Sequence, residues 1–226
     1  MISLEEMLNC SVHLGHQVRK WNPKMSSFIY GERNGLHIID VLQTLICLKK
    51  STDFLYKSAK NNKSFLFVGT KRQFSSLVES CAISCNSYYV TKRWLGGTLT
   101  NWSTIKGCID SLKILVKQEL DGSFDLLTKK ECLILKKRRL KLEKYFSGIK
   151  EMTKIPDIVI IIGQPREMNA VKECLKLNIK TVTIVDTNCD PTLTDFFIPA
   201  NDDSVSSVGL ILSELSKSII KGKNNS

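Results

Sequence analysis

Six residues, 157–162 (DIVIII), constrain the fold more than any other segment. After Asp157 the run is branched and apolar with no polar alternation. A strand with one wet face alternates apolar and polar side chains, so this one is covered on both faces, as in a parallel sheet. Parallel neighbours must be joined by crossovers, usually helices. The rest of the chain supplies both parts. Residues 64–69 (SFLFVG), 88–90, 180–185 (KTVTIV) and 196–198 read as further short strands. Residues 36–50, 74–85, 166–177 and 204–220 carry apolar residues at helical spacing. Ser3 and Glu6 form a capping box for a short first helix. Residues 13–30, rich in Gly, Trp, Asn and Pro, read as irregular. The expected fold class is α/β, a doubly wound parallel sheet.

One segment interrupts the alternation. Ile105, Ile109, Leu112, Leu115 and Val116 make one helical stripe, and Asp121-Gly122 supplies a turn. Thr128 and Glu131 cap a second helix that runs to about Phe146, with Gly148 as a natural C′ residue. Leu126, Leu133 and Leu140 repeat at seven, as do Leu135 and Leu142. We expect an antiparallel helical (coiled-coil) hairpin at 104–148, inserted into an α/β body made of 1–103 and 149–226. A chain of 226 residues amounts to one domain and part of another.

Charge narrows the function. The chain carries 33 Lys plus Arg against 22 Asp plus Glu, a formal +11. Residues 129–150 hold nine cations and two Glu; residues 186–214 hold six acids and no cation. A clustered basic excess suits a polyanion, because each neutralised phosphate releases counterions. The acidic segment is expected to face a basic neighbour. No apolar run approaches the roughly 18 residues of a membrane span. The start, MISLEEML, fits neither a signal peptide nor a transit peptide, so an organellar protein would be made in place or already trimmed. Eight Cys without a C-x-x-C pair read as small core residues in a reducing compartment. Cys10, His13 and His16 could supply three metal ligands, but their spacing matches no common site, and no metal or other cofactor is expected.

Two segments suit RNA. His13 to Met25 (HLGHQVRKWNPKM) and Thr91 to Trp102 (TKRWLGGTLTNW) mix cations with Trp and with flexible Gly. Cations bind phosphates and planar groups stack on exposed bases; burial of Trp94 and Trp102 is the competing reading. The RNA-binding candidates are His13, His16, Arg19, Lys20, Trp21, Lys24, Lys71, Arg72, Lys92, Arg93 and Trp94. On the hairpin they are Lys129, Lys130, Lys136, Lys137, Arg138, Arg139, Lys141 and Lys144. The alternative is a phosphate- or nucleotide-binding α/β enzyme. It would use Thr70 and Lys71 in the post-strand loop FVGTKRQ, with Asp186 and Asp190 after a later strand. The loop lacks nucleotide-loop spacing, and no complete catalytic motif appears.

These segments carry a resemblance. HLGHQVRKWNPKM, GLHIIDVLQT, FVGTK, RWLGGTLTN, GIKEMTKIPDIVI, VDTNCDP and IPANDD, in this order, resemble the universal small-ribosomal-subunit protein S-two family in its bacterial and organellar form. The resemblance implies a flavodoxin-like body with an inserted coiled-coil hairpin. It implies no catalysis and no small-molecule substrate. The implied partners are small-subunit rRNA, bound late in assembly near the junction of head and body, and neighbouring ribosomal proteins. In bacterial relatives the protein also helps seat the large mRNA-binding protein. The chain departs from the family pattern at Leu14, at Lys180 and at Gly163, where an Asp is usual. The short hairpin, NWSTIK and IPANDD look like plastid forms, and 26 Lys against 7 Arg fits an AT-rich genome. A plastid ribosome is the expected location, with a bacterial cytoplasm as the alternative.

Overall fold

A computed structural model describes residues 2–126 and 128–225. Five parallel strands form the central sheet: β4 (Phe65–Val68), β5 (Tyr88–Val90), β6 (Ile158–Ile162), β7 (Lys180–Val185) and β8 (Phe196–Pro199). Their order, β5-β4-β6-β7-β8, is the flavodoxin-like 2-1-3-4-5. The apolar run of β6 does what its composition requires. Ile158, Ile160 and Ile162 join one core with α2 (Val41–Lys60), α3 (Ser75–Ser84) and α7 (Val205–Asn224). Val159 and Ile161 join a second core with α4 (Trp102–Leu120), α5 (Lys129–Phe146) and α6 (Met168–Lys176). The doubly wound α/β fold is thus present, with α1 (Leu4–Asn9) closed by the Ser3–Glu6 capping box.

Residues 13–39 are more regular than their sequence suggests. β1 (Leu14–Gln17), β2 (Ile29–Arg33) and β3 (Leu36–Ile39) form an antiparallel sheet ordered β1-β3-β2. The helix expected over 36–50 therefore starts only at Val41. Asp40 caps it by accepting from Leu42 N at 2.9 Å, and it continues to Lys60. The small sheet sits on the carboxyl end of β7: His16 N donates to Thr187 Oγ1 (2.9 Å) and Asn22 N to Thr187 O (2.8 Å).

The two helices α4 and α5 lie side by side as an antiparallel pair. Ile105, Ile109, Leu112 and Leu115 are buried along α4. On α5, Leu135 and Leu142 turn inward, whereas Leu133 and Leu140 are exposed. Only one of the two seven-residue repeats is a seam. Arg139 Nε contacts Glu119 Oε2 at 2.6 Å and its Nη1 contacts Glu143 Oε2 at 2.8 Å, clipping the arms together. Gly148 is not a left-handed cap. It lies in the 3₁₀ turn Ser147–Ile149, where an added Cβ would stand 2.2 Å from Tyr89 O. It lets the base of the hairpin close against β5.

Candidate nucleic-acid interface

The loop after β5 carries Lys92 and Arg93, and one carboxylate shapes it. Glu173 of α6 accepts from Trp94 Nε1 (3.0 Å), Gly97 N (2.8 Å), Leu99 N (2.9 Å), Thr100 N (3.0 Å) and Thr100 Oγ1 (3.2 Å). Burial pulls its carboxyl pKa up, but these donors outweigh burial and hold it below the usual carboxylate range. Trp94 is 6% exposed with its ring N–H spent on Glu173. It braces the loop and offers no face to a base, so the stacking role expected for it is corrected. Lys92 and Arg93 remain exposed at the loop's start.

These two cations face a cleft. Arg72 follows β4, Lys144 comes from the last turn of α5, and Arg166 follows β6. With Lys92 and Arg93 they line a cavity of about 340 Å³, together with Thr70, Ser75, Thr91 and Tyr145. Among the described residues, no carboxylate lines it. Lys144 Nζ sits 5.6 Å from the Tyr145 ring centroid. Arg166 Nε donates to Thr70 Oγ1 at 3.1 Å. The cleft lies past the carboxyl ends of β4 and β6, the switch point where open α/β sheets place ligands. The sequence reading missed Arg166; its position just beyond the end of β6 was the available signal.

The same switch point excludes a nucleotide loop. Glu167 is 1% exposed, and its Oε1 accepts from Thr70 N (3.0 Å) and from the Thr70 hydroxyl. Burial pushes its pKa up. A phosphate would need those donors and would meet a carboxylate there. Lys71 is likewise committed: its Nζ contacts Asp202 Oδ1 (2.8 Å) and Asp203 Oδ1 (2.9 Å). Gly163 has φ +79° and packs beside that pair. Asp190 pairs with Lys24 at 2.6 Å and caps the turn Pro191–Leu193. Asp186 accepts from Asp202 N at 3.2 Å and meets His16 Nδ1 at 3.0 Å. Thr70, Lys71, Asp186 and Asp190 are fold-building residues, and the enzyme alternative fails on them.

Lys24, Lys71 and Arg139, expected on RNA, are held in ion pairs within the chain. His16 is wedged between Asp186 and Asp203 (Nε2 to Oδ2, 3.3 Å), and the hydrogen bond to Asp186 raises its pKa. Its donor atom lies within 4.8 Å of those of Asp186 and Asp202, not grouped with Cys10 and His13. All six acids of residues 186–214 have partners inside the molecule; the remaining pairs are Asp195–Lys180 and Glu214–Lys217. The acids of this segment are thus matched within the chain, with the Asp203 side chain still 64% exposed.

The other candidates lie elsewhere. His13 is half-buried. Arg19, Lys20 and Trp21 are exposed at the 3₁₀ turn Val18–Lys20, with Trp21 tilted against His37 at 5.3 Å between centroids. Lys129, Lys130, Lys136, Lys137, Arg138 and Lys141 are exposed along α5. Among the described residues none of these six cations has an ion pair, and no helix is long and apolar enough to cross a membrane.

A family model described as Ribosomal protein S2 matches residues 7–222. The chain belongs to the ribosomal protein S2 family. It is 62% identical over 225 residues to the small ribosomal subunit protein uS2c of Euglena gracilis, covering 100% of this chain and 93% of that relative. It is 55% identical over 222 residues to uS2c of Mesostigma viride, covering 98% and 97%. It is 50% identical over 224 residues to uS2 of the cyanobacterium Nostoc punctiforme, covering 99% and 85%. Family membership agrees with the flavodoxin-like sheet and with a switch point whose polar residues are committed to the fold.

Proposed function

We propose that this chain is a structural, non-enzymatic protein of the small ribosomal subunit of a plastid, and that the cleft of Arg72, Lys92, Arg93, Lys144 and Arg166 grips the sugar-phosphate backbone of rRNA. One observation carries the reading. Cations from four separate parts of the chain converge on one concavity that, among the described residues, no carboxylate lines. A concavity lined by one sign of charge focuses the field and draws in a polyanion. Its planar guanidinium groups match phosphate geometry. The nearby carboxylates are either buried, as Glu167 and Glu173 are, or paired with other cations. The plastid setting rests on the uS2c relatives, and a chain in that setting has ribosomal proteins as neighbours. We further infer that residues 104–148 act as an arm on a body of 1–103 and 149–226, with Lys129, Lys136 and Arg138 of α5 extending the positive field along it.

The test is incorporation into small subunits depleted of this protein, measured across salt concentrations. Replacing Arg72, Lys92, Arg93 and Arg166 together by Gln weakens incorporation. The slope of log affinity against log salt falls by roughly one for each phosphate no longer neutralised. A wild-type slope in that variant would overturn the cleft as the RNA site.

A further inference from the structure

The side of α5 turned away from α4 does not look like a solvated face. Leu133, Ile134 and Leu140 are 58%, 57% and 55% exposed on it. At 100° per residue these three and Lys130, Lys137 and Lys141 fall within an arc of about 120°. The inward arc is a different one, centred on Leu135, Arg139 and Leu142. Leu133 and Leu140 lie side by side at one edge of that arc, the lysines fill its middle and Ile134 stands at the other edge, so aliphatic and cationic side chains share one exposed face. Phosphates have no use for its aliphatic part. The Lys130–Lys137 and Leu133–Leu140 pairs are each seven residues apart, the period at which one helix meets another.

We propose that this face docks an amphipathic, acidic helix of a neighbouring small-subunit protein. The partner lays an apolar stripe over Leu133 and Leu140 and turns carboxylates toward Lys130, Lys137 and Lys141. Charge complementarity selects the occupant. The three lysines are exposed and lack ion pairs among the described residues. An acidic helix supplies the missing partners while covering the aliphatic side chains. Sealing half-exposed leucines from water adds a hydrophobic contribution to the charge pairing. The inference rests on the small-subunit reading and assigns the outer arm to protein while leaving the cleft to RNA.

A photo-crosslinking residue placed at 133, at 140 and, separately, at 93 tests it in the full chain within assembled small subunits. The expected products are one helical, acid-rich segment of a ribosomal protein from 133 and 140, and rRNA from 93. Crosslinks from 133 and 140 to rRNA, to a second copy of this chain, or to nothing overturn the docking face. If 93 still reaches rRNA, the cleft reading survives that result. Loss of the rRNA product at 93 alone overturns the cleft. As a second measurement, Leu133→Gln with Leu140→Gln leaves the fold intact, since both side chains are exposed. It lowers occupancy of the subunit roughly tenfold. Unchanged occupancy overturns the proposal.

Discussion

The carboxylate of Glu167 takes the backbone N–H of Thr70 at 3.0 Å, on the spot where a strand-end loop of this fold would otherwise hold a phosphate. A carboxyl group in that position takes the donors that a phosphate would need. Titration of the protein with ATP and magnesium is therefore expected to give no saturable heat. Glu167→Gln keeps an acceptor for Thr70 while removing the charge, and it too leaves the protein without nucleotide affinity, because Lys71 stays locked to Asp202 and Asp203. Burial raises the Glu167 pKa, which favours its neutral form in the fold. Its contribution is present below the unfolded carboxyl value and is lost as pH rises through the folded one.

Glu173 should be among the most sensitive positions in the chain. Glu173→Ala strands five donors, and unfolding measured by urea is expected to show a loss of about 3–5 kcal/mol. Because the native pKa is lowered, its contribution exists above the unfolded value near 4.3 and fades as pH falls through the lower native value. Glu173→Gln should lose that acid sensitivity. A wild-type acid profile in the Gln variant would show that the cage does not depend on charge.

His16 predicts the opposite slope. Its pKa is raised by Asp186, so the protonated form stabilises the junction of the small sheet with β7. That stabilisation is complete below the unfolded value of about 6.5 and is lost as pH rises through the folded value. The wild-type melting temperature should decline over this window, while His16→Gln should be lower and flat. Equal slopes in the two proteins would refute the assignment.

The hairpin cations divide by role. Arg139→Ala removes the clip to Glu119 and Glu143 and should cost about 1 kcal/mol. Lys136, Lys137 and Arg138 pair with no acid among the described residues, so replacing each by Ala should leave stability within about 0.5 kcal/mol. Chemical denaturation of the four single variants distinguishes the two groups, and a uniform response would contradict the geometry.

How much of this was readable in advance follows from the range of the forces involved. β6 and β4 are legible because burial on both faces leaves a local mark, an unbroken apolar run. The two capping boxes and the Asp121-Gly122 turn are equally local. The small antiparallel sheet was missed because its strands are four or five residues long, contain Gly and His, and pair through irregular register. Leu36–Ile39 has spacing compatible with a helix, and only the pairing of β3 decides otherwise. The hardest features were long-range charge pairs. Lys71 finds Asp202 across 131 residues, and Trp94 finds Glu173 across 79. Nothing beside Lys71 marks it as unavailable. The acidic stretch did carry one hint: six carboxylates without a local cation must be matched from elsewhere or from outside, and here they are matched from within.

The close approach of Gly148 to Tyr89 makes the hairpin a ruler. With its foot pressed onto the sheet, the distance from Lys144 in the cleft to Lys130 near the tip is set by helical rise alone, about 21 Å for 14 residues. One inserted residue within α5 would swing the tip by about 100° relative to the cleft. If the arm recognises a partner as proposed, its length and phase count as much as the side chains it bears.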